Sequence, residues 1–600
     1  MKILWLDLNC SYAHSSLALP ALHAQVMQRT DVEWEVVRTT TGESVGAVVD
    51  AIYARRPDVV AATAWLFTHE QLLHIISRVK ALMPQVKVIL GGPEFLGDNE
   101  RYMRTHLEVD CVLRGEGEES FARWLDVWDT PEKWSDIPGL CYLDNSEWRK
   151  DNEELRVNST ADDSPSKNDL TTPLLSFGCA RCKSSSKLDS HSQARTLSIY
   201  KDGGLARVTN FADLHAPEAS PLFTWSKPFV QLETTRGCFN TCAFCVSGMG
   251  DPVRLLSIDA IRARLTHIRE RGIRDVRILD RTFNYNPKRA IELLHLFAEY
   301  HPHMRFHLEI HPALLPQSVR EVLSEMPHGL LHLEAGIQSL RQDVLDGSLR
   351  KGSLEQSLDG LKFLCSLPNL VTHADLIAGL PHYTLAQIYE DIHTLAKYNA
   401  GEIQLESLKL LPGTFMRLNA EKLGIRYSPL PPYEVLTSDA ISSAELQEAR
   451  RLSRLLDAYY NTSAWQHLTQ RLILDEADFL HTFLDYLTVH NYIDQPMSLE
   501  RRGELLYLFC CEYYPHYATE ATIAWIEAGM SLKKRPAEGV RTKHVQPIEA
   551  WTVIYGEYSE RLRLCYLPVG GEECGYWFGY DSTTQCPTPV FKAKVISSTS

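Results

Sequence analysis

The sequence predicts an α/β chain in three parts: a doubly wound parallel sheet, a partial (β/α)6 barrel and a mostly helical C-terminal domain. Two runs of strand–helix alternation, with a stretch of low order between them, carry this reading. The 600 residues leave room for roughly three to five domains at about 150 residues each. An apolar fraction of 44% supports ordinary packed cores.

In residues 1–143 the strand candidates are Ile3–Leu8, Trp34–Arg38, Val59–Ala64, Val86–Leu90, Cys111–Leu113 and Gly139–Leu143. Between them Leu17–Gln28, Val45–Arg55, His69–Met83 and Ser120–Trp128 have helical periodicity. Ligands of such sheets bind outside the carboxyl ends of the strands. Four of those ends carry loops with chemistry: Asn9-Cys-Ser-Tyr-Ala-His14, Thr63-Ala-Trp-Leu-Phe67, Gly91-Gly-Pro-Glu94 and Arg114-Gly-Glu-Gly117. Glycines there let backbone approach a bulky planar ligand. One Gly-Gly-Pro alone is equally a turn, whereas four such loops along one edge favour a ligand. The alternative is a flavodoxin-like domain that binds nothing, or only a partner.

Residues 144–225 form a linker or insertion in which Asp, Ser, Thr, Lys and Asn dominate and apolar periodicity fades. Inside it lies Cys179-Ala-Arg-Cys182, followed by His191. A lone C-x2-C lacks the second pair of a zinc ribbon. Surface thiols and an auxiliary metal or redox pair are both open.

The βα rhythm resumes in residues 226–428. Strand candidates are Val230–Thr234, Val276–Leu279, Phe306–Ile310, Leu330–Glu334, Thr372–Ile377 and Ile403–Leu410; helical runs include Ile258–Arg271, Lys288–Tyr300, Gln317–Glu325, Leu354–Leu364 and Leu385–Tyr398. Six repeats suit a partial barrel, whose chemistry collects where strands end. Polar residues stand there: Asp280-Arg-Thr-Phe-Asn284, Glu309 and His311, Glu334-Ala-Gly-Ile-Gln338-Ser339, and Asp375-Leu-Ile-Ala-Gly-Leu-Pro381. Singly, each reads equally as a buried polar group satisfied by backbone; their recurrence favours a ligand. Directly after the first strand comes Arg236-Gly-Cys-Phe-Asn-Thr-Cys-Ala-Phe-Cys245, a C-x3-C-x2-C loop. Thiolates suit iron–sulfur clusters or zinc. Four are the usual set for a [4Fe–4S] cluster, so three leave one iron open to a small molecule. No fourth Cys or His follows at zinc-finger spacing, which argues against zinc.

A net charge of −15 and a pI near 5.9 argue against a broad nucleic-acid or membrane-surface footprint. No apolar run is long enough for a membrane span. The N-terminus reads as a first strand rather than a signal peptide. Fourteen cysteines without regular spacing point to a reducing, cytoplasmic location. No internal repeat is evident.

The cysteine loop, with Phe244 before its last Cys, resembles the signature of the radical S-adenosylmethionine (radical SAM) superfamily. The resemblance implies that Cys238, Cys242 and Cys245 ligate a [4Fe–4S] cluster whose open iron binds SAM. Gly91-Gly92-Pro93 and Gly115-Glu116 resemble the cobalamin-binding domain upstream of many such enzymes. That likeness implies cobalamin contacts at Asn9, Ser11, His14, Thr63, Trp65, Gly91, Gly92, Gly115 and Glu116. The Asp-x-His-x-x-Gly loop of other cobalamin proteins is absent, so His14 is expected to line the pocket rather than ligate cobalt. Gly336-Ile-Gln-Ser339 and Asp375-Leu-Ile-Ala-Gly-Leu-Pro381 resemble the cobalamin-associated branch. They imply that Glu334 and Gln338 meet the amino or ribose groups of SAM and Arg350 its carboxylate. Asp280-Arg-Thr-Phe-Asn284 stands where many relatives have Gly-Gly-Glu, which makes Thr282 and Asn284 the candidates for the SAM amino group.

Lys409-Leu-Leu-Pro-Gly-Thr-Phe415 and Tyr427-Ser-Pro-Leu-Pro-Pro-Tyr-Glu434 resemble a subfamily with a further C-terminal domain of unknown function, here residues 429–600. It reads as helical and aromatic-rich to Ala537, with a β-like end from Ala550–Gly556 through Gly575–Tyr580. Cys510, Cys511, Cys565, Cys574 and Cys586 are expected to be structural. The fold expected from the resemblance is therefore a Rossmann-like cobalamin-binding sheet, a radical SAM partial barrel and a mostly helical C-terminal domain. The implied activity is reductive SAM cleavage that functionalises an unactivated C–H position, most simply by methyl transfer from cobalamin. Rearrangement or cyclisation without methyl transfer, and an iron–sulfur or cobalamin sensor, are the alternatives. A methylthio-transferase would need a second cysteine triplet. Expected partners are a small-molecule or peptide substrate and a reductant such as flavodoxin or ferredoxin.

Overall fold

A computed structural model describes residues 1–13, 16–144, 198–248, 250–531, 562–568, 575–581 and 586–595. His14, Cys179, Cys182, His191, Cys574 and the Ala550–Gly556 run lie outside the described residues. The chain forms two compact units. The first holds Met1–Asp280, Lys409–Ala420 and Ser428–Glu434, and the second holds Arg281–Leu408, Glu421–Tyr427 and Val435–Ser600.

In the first unit, β1 (Lys2–Asn9), β2 (Glu33–Thr40), β3 (Val59–Thr63), β4 (Lys87–Gly91) and β5 (Cys111–Leu113) pair in parallel in the order β2-β1-β3-β4-β5. The central residues of β1 and all of β3 are buried, as expected of strands covered on both faces. Helices α1 (Ala18–Val26) and α4 (Glu118–Leu125) cover one face through Leu19, Val26, Phe121 and Trp124. Helices α2 (Val45–Arg55) and α3 (His69–Leu82) cover the other through Val48, Ile52, Leu72 and Ile76.

The sheet is not parallel throughout. β6 (Leu140–Asp144) runs antiparallel to β5, and β7 (Ile199–Asp202) runs antiparallel to β6. Apolar patterning marks a strand but not its direction, so the all-parallel expectation is corrected at this edge. β7 also lies inside the stretch expected to be linker. Asp144 pairs with Ile199 at the far end of this hairpin. Beyond β7 the chain stays on the sheet, because Ala206 bridges Gly115. Gly115 has φ +100°, and a Cβ there would run into the backbone oxygen of Ala206, so only glycine fits.

The same unit contains β8 (Phe229–Leu232), which pairs in parallel with β11 (Asp275–Ile278) through the intervening helix Ile258–Glu270. Between β8 and that helix lies a hairpin, β9 (Thr235–Arg236) with β10 (Arg254–Leu255). Asp280, 1% exposed, fastens its base by accepting from the backbone N–H groups of Thr234 and Thr235, both at 2.8 Å.

In the second unit, β12 (Arg305–Ile310), β13 (Leu331–Gln338), β14 (Val371–Ala378) and β15 (Glu402–Ser407) form a parallel array. Helices Pro287–Ala298, Gln317–Glu325, Leu354–Ser366 and Leu385–Lys397 alternate with them. Ser353 and Thr384 cap the last two by accepting from the N–H groups of Gln356 and Gln387. Helices Ser443–Leu455, Ser463–Asp475, Phe479–Val489, Leu499–Tyr513 and Ala518–Glu527 follow, around buried Tyr459, Trp465, Phe479, Phe483 and Phe509. Leu562–Pro568, Gly575–Asp581 and Phe591–Val595 make a small antiparallel sheet, matching the β-like end expected at Gly575–Tyr580.

Within the first unit His69 is buried beside Tyr102, 3.0 Å from its hydroxyl. Burial first, then His106, pushes its pKa down to about 4. The folded state therefore keeps His69 neutral while the unfolded chain protonates near pH 6.5, so stability falls as pH drops from 6.5 towards 4. Between pH 7 and pH 5 this costs about 2 kcal/mol. His69→Gln should flatten that acid limb in urea unfolding compared at the two pH values.

Candidate functional site

The cysteine loop leaves β9 at Gly237, whose φ of +97° and closeness to Pro252 exclude a side chain. Cys242 is 7% exposed and Cys238 and Cys245 are half-buried. The backbone wraps tightly here: Cys245 N–H donates to Cys242 at 3.1 Å and Gly248 N–H to Cys245 at 3.0 Å. Ser247 N–H donates to the Cys245 Sγ, 3.4 Å away. Ala243 accepts from Met416 N–H at 2.9 Å, fixing the outer turn. Among the described residues, one trio of potential metal ligands has its donor atoms within 4.8 Å of one another, and it does not include these cysteines. Ligands of one zinc ion would lie that close, since Zn–S bonds are about 2.3 Å; ligands of separate irons need not. The loop thus fits a cluster with one open corner better than a single ion.

Arg236, the last residue of β9, joins this loop to the N-terminal sheet. Its guanidinium lies 2.9 Å from Glu118, 2.7 Å from Glu233 and 3.9 Å from Glu116. Glu116 in turn pairs with Arg254 on β10, at 2.8 Å from Nη1, and accepts from Val208 N–H at 2.7 Å. Burial works to raise the Glu116 pKa, yet Arg254 and the Val208 N–H hold it below the usual carboxylate range.

Arg236 also lines a cavity of about 230 Å³ at the carboxyl ends of β3, β4 and β5. Trp5, Leu22, Ala61, Leu90 and Phe121 make it largely apolar, and Thr63, Trp65, Gly91, Gly92, Gly115 and Glu116 complete the rim. Gly92, at φ +111°, packs so that a Cβ would sit 2.7 Å from Thr63 Cγ2 and 2.8 Å from Ala64 O. This apolar slot, open to backbone on one side, suits the planar base of a cobalamin. Asn9 and Ser11 do not line it. Asn9 Nδ2 instead donates to Asp7 at 2.9 Å.

In the second unit, residues alternate along β12–β14 between a buried apolar face and a polar one. Glu334 Oε2 lies 2.8 Å from His307 Nε2. Burial works to raise the Glu334 pKa, but the His307 hydrogen bond and the charge of His373 bring it down. Burial raises Glu309 to about 7 and Asp375 to about 6. Gln338 sits at a bulge with φ +73°. Its Oε1 is buried without a hydrogen-bond donor among the described residues, an acceptor poised for an amino or hydroxyl group. The Arg350 guanidinium donates to the Gly336 carbonyl. Thr282 Oγ1 donates to the carbonyl of Arg281 at 2.6 Å.

Asn284 does not fit a ligand contact. It is 0% exposed. Its Nδ2 donates to His311 O at 2.9 Å and Leu314 O at 2.7 Å, while Oδ1 accepts from His311 N–H at 2.8 Å. The side chain is spent on holding two strand-end loops together.

Residues 232–395 match the radical SAM superfamily, residues 10–125 the B12 binding domain and residues 421–527 a family of proteins of unknown function, DUF4080. The chain thus carries a radical SAM domain and a B12 binding domain. It is 23% identical over 363 residues to an uncharacterized methyltransferase of Pyrococcus horikoshii, covering 60% of this chain and 68% of the relative. It is 23% identical over 387 residues to the cobalamin-dependent radical SAM methyltransferase TokK of Streptomyces tokunonensis, covering 63% and 51%. The match thus spans about half of the latter's length. Its fold is similar to that of the methyltransferase TsrM from Kitasatospora setae, solved with cobalamin and a [4Fe–4S] cluster bound, at TM-score 0.51 and 14% identity over 88% and 98% of the two chains.

Arg236, Arg254 and the histidines His307, His332 and His373 were not among the residues expected from the sequence. Arg236 stands directly before Gly-Cys, and His-x-acid recurs on three successive strands, so both carry a signal in the sequence. Two experiments probe the first unit. Ala21→Trp, from the α1 wall of the cavity, should abolish hydroxocobalamin retention through gel filtration while leaving iron content unchanged. Arg236→Gln should lower both cobalt and iron per chain, whereas Arg264→Gln, which breaks the buried pair with Glu218, should lower neither.

Proposed function

We propose that this chain is a cobalamin-dependent methyltransferase of the radical SAM type, acting at an unactivated C–H position of a small-molecule or peptide substrate. The observation that carries the reading is Arg236, which opens the cysteine loop and also lines the apolar cavity at the sheet edge. Cys238, Cys242 and Cys245 would hold the [4Fe–4S] cluster. Thr63, Trp65, Gly91, Gly92 and Gly115 would hold cobalamin, with Glu116 positioning the rim through Arg254. Phe244, Thr282, Glu334, Gln338 and Arg350 are the proposed contacts to SAM. When bound, these groups supply the electron, the radical initiator and the methyl carrier.

The chain's own residues orient and shield. Ser247 N–H offsets charge on the Cys245 sulfur. Gln338 Oε1 accepts from SAM, and Glu334, kept ionised by His307, favours a cationic amino group beside it. The apolar cavity wall excludes water from the base it holds. A one-electron donor of the flavodoxin or ferredoxin kind would feed the cluster. A cytoplasmic setting is supported by ten cysteines that are free thiols, Cys111, Cys141 and Cys510 among them buried. No described helix is long and apolar enough to cross a membrane.

Full-length chain reconstituted anaerobically with iron, sulfide and hydroxocobalamin, then reduced with dithionite, should convert SAM into 5′-deoxyadenosine and S-adenosylhomocysteine. Cys242→Ala should remove 5′-deoxyadenosine, and omission of hydroxocobalamin should remove S-adenosylhomocysteine alone. An intact cluster that leaves SAM uncleaved would sink the proposal. 5′-Deoxyadenosine without S-adenosylhomocysteine would replace methyl transfer by rearrangement or cyclisation.

A further inference from the structure

The second unit carries a pattern that the proposed reaction does not absorb. His307-Leu-Glu309 on β12, His332-Leu-Glu334 on β13 and His373-Ala-Asp375 on β14 place one motif, histidine-x-acid, on the polar face of three strands. Glu402 of β15 is the register partner of His373. We propose that His332, His373 and Glu402 form a second metal site, for a divalent transition ion bound through nitrogen and oxygen.

Three features carry this, independently of the reaction proposed above. First, one donor atom from each residue lies within 4.8 Å of the other two, and among the described residues no other trio of His, Cys, Asp or Glu achieves this. Neighbouring strands stand about 4.8 Å apart, so side chains on adjacent strands and the same face converge without distorting the sheet. Second, the His373 ring is oriented as a ligand. Its Nδ1 is 3.8 Å from Glu402 Oε2, too long for a hydrogen bond. That separation suits two donors sharing an ion at about 2.0–2.2 Å from each. Third, its opposite nitrogen, Nε2, is buried 3.0 Å from Asp375 Oδ1, within reach of it though the two are not in hydrogen-bond geometry. A carboxylate beside the far nitrogen can steady a metal-bound imidazole after a small turn of the ring.

Two imidazoles and one carboxylate suit zinc or ferrous iron rather than calcium or magnesium. Three protein ligands leave a position for water or for an oxygen or nitrogen donor of the substrate. The competing reading is a salt-bridge network in which a protonated His373 sits between Glu402 and Asp375 and binds no ion.

The test uses the full chain with its cluster already reconstituted, exposed to Zn²⁺ alone at micromolar free concentration and then desalted. The expected result is one retained zinc per chain beyond the cluster iron. Its X-ray absorption should show nitrogen and oxygen neighbours at about 2.0 Å, with imidazole scattering and no sulfur at about 2.3 Å. His373→Asn and Glu402→Gln should each lose that zinc and keep the cluster iron. No retained zinc, sulfur-ligated zinc, or zinc kept by both variants overturns the proposal. Should either variant lose its cluster iron as well, the absorption spectrum of the unaltered chain decides: two imidazoles support the site and their absence refutes it.

Discussion

One half-hidden cation governs the first unit. Arg236 is the end of a strand, the start of the cysteine loop and a wall of the sheet-edge cavity, and three carboxylates compete for it. A buried ion pair adds little net stability, because desolvation offsets most of the attraction; removing one partner is costly, by about 3–5 kcal/mol. The arrangement is therefore better at fixing geometry than at holding the chain folded. Glu118 begins helix α4 and Glu116 reaches Arg254 on the β9–β10 hairpin, so a shift in either element is felt at the cysteines. Asp280 adds a second fastening at the hairpin base, its carboxylate accepting from two successive backbone N–H groups.

The second unit solves a different problem. Its strands bury Leu and Phe on one face and array ionisable groups on the other. Carboxylates packed this closely cannot all stay charged at low cost. Burial raises Glu309 to about 7 and Asp375 to about 6, while the His307 hydrogen bond holds Glu334 below the usual carboxylate range. At neutral pH Glu309 is therefore the part-protonated carboxyl of this face, and Glu334 and Asp375 carry its charge.

How much of this was readable from the amino-acid order depends on whether the cause was local. Gly91-Gly92 and the C-x3-C-x2-C loop were legible because backbone conformation and ligand chemistry constrain residue type within a few positions. Gly92 must be glycine for a reason visible at Gly92. The direction of β6 and β7 was hidden, since an antiparallel edge strand shows the same alternation as a parallel one. Glu116 lines the cavity as expected of its loop, but its hold on Arg254, a partner 138 positions away, has no local signal. Asn284 shows the same limit: a polar residue at a strand end announces a hydrogen bond but not whether a ligand or a loop receives it. The histidine-x-acid repeat needed no structure to see. Its histidines lie towards the strand starts, away from the strand ends where barrel chemistry collects.

The hairpin that closes the N-terminal sheet has a consequence for the long excursion between its two strands. Asp144 and Ile199 face each other as a register pair, so the intervening segment departs from and returns to a single point on the sheet margin. Closing a loop of any length across that gap costs entropy that grows only logarithmically with the number of residues. The scaffold is therefore nearly indifferent to what is spliced in there, and that position is free to lengthen, shrink or acquire new sequence while the cavity and the cysteine loop stay where they are.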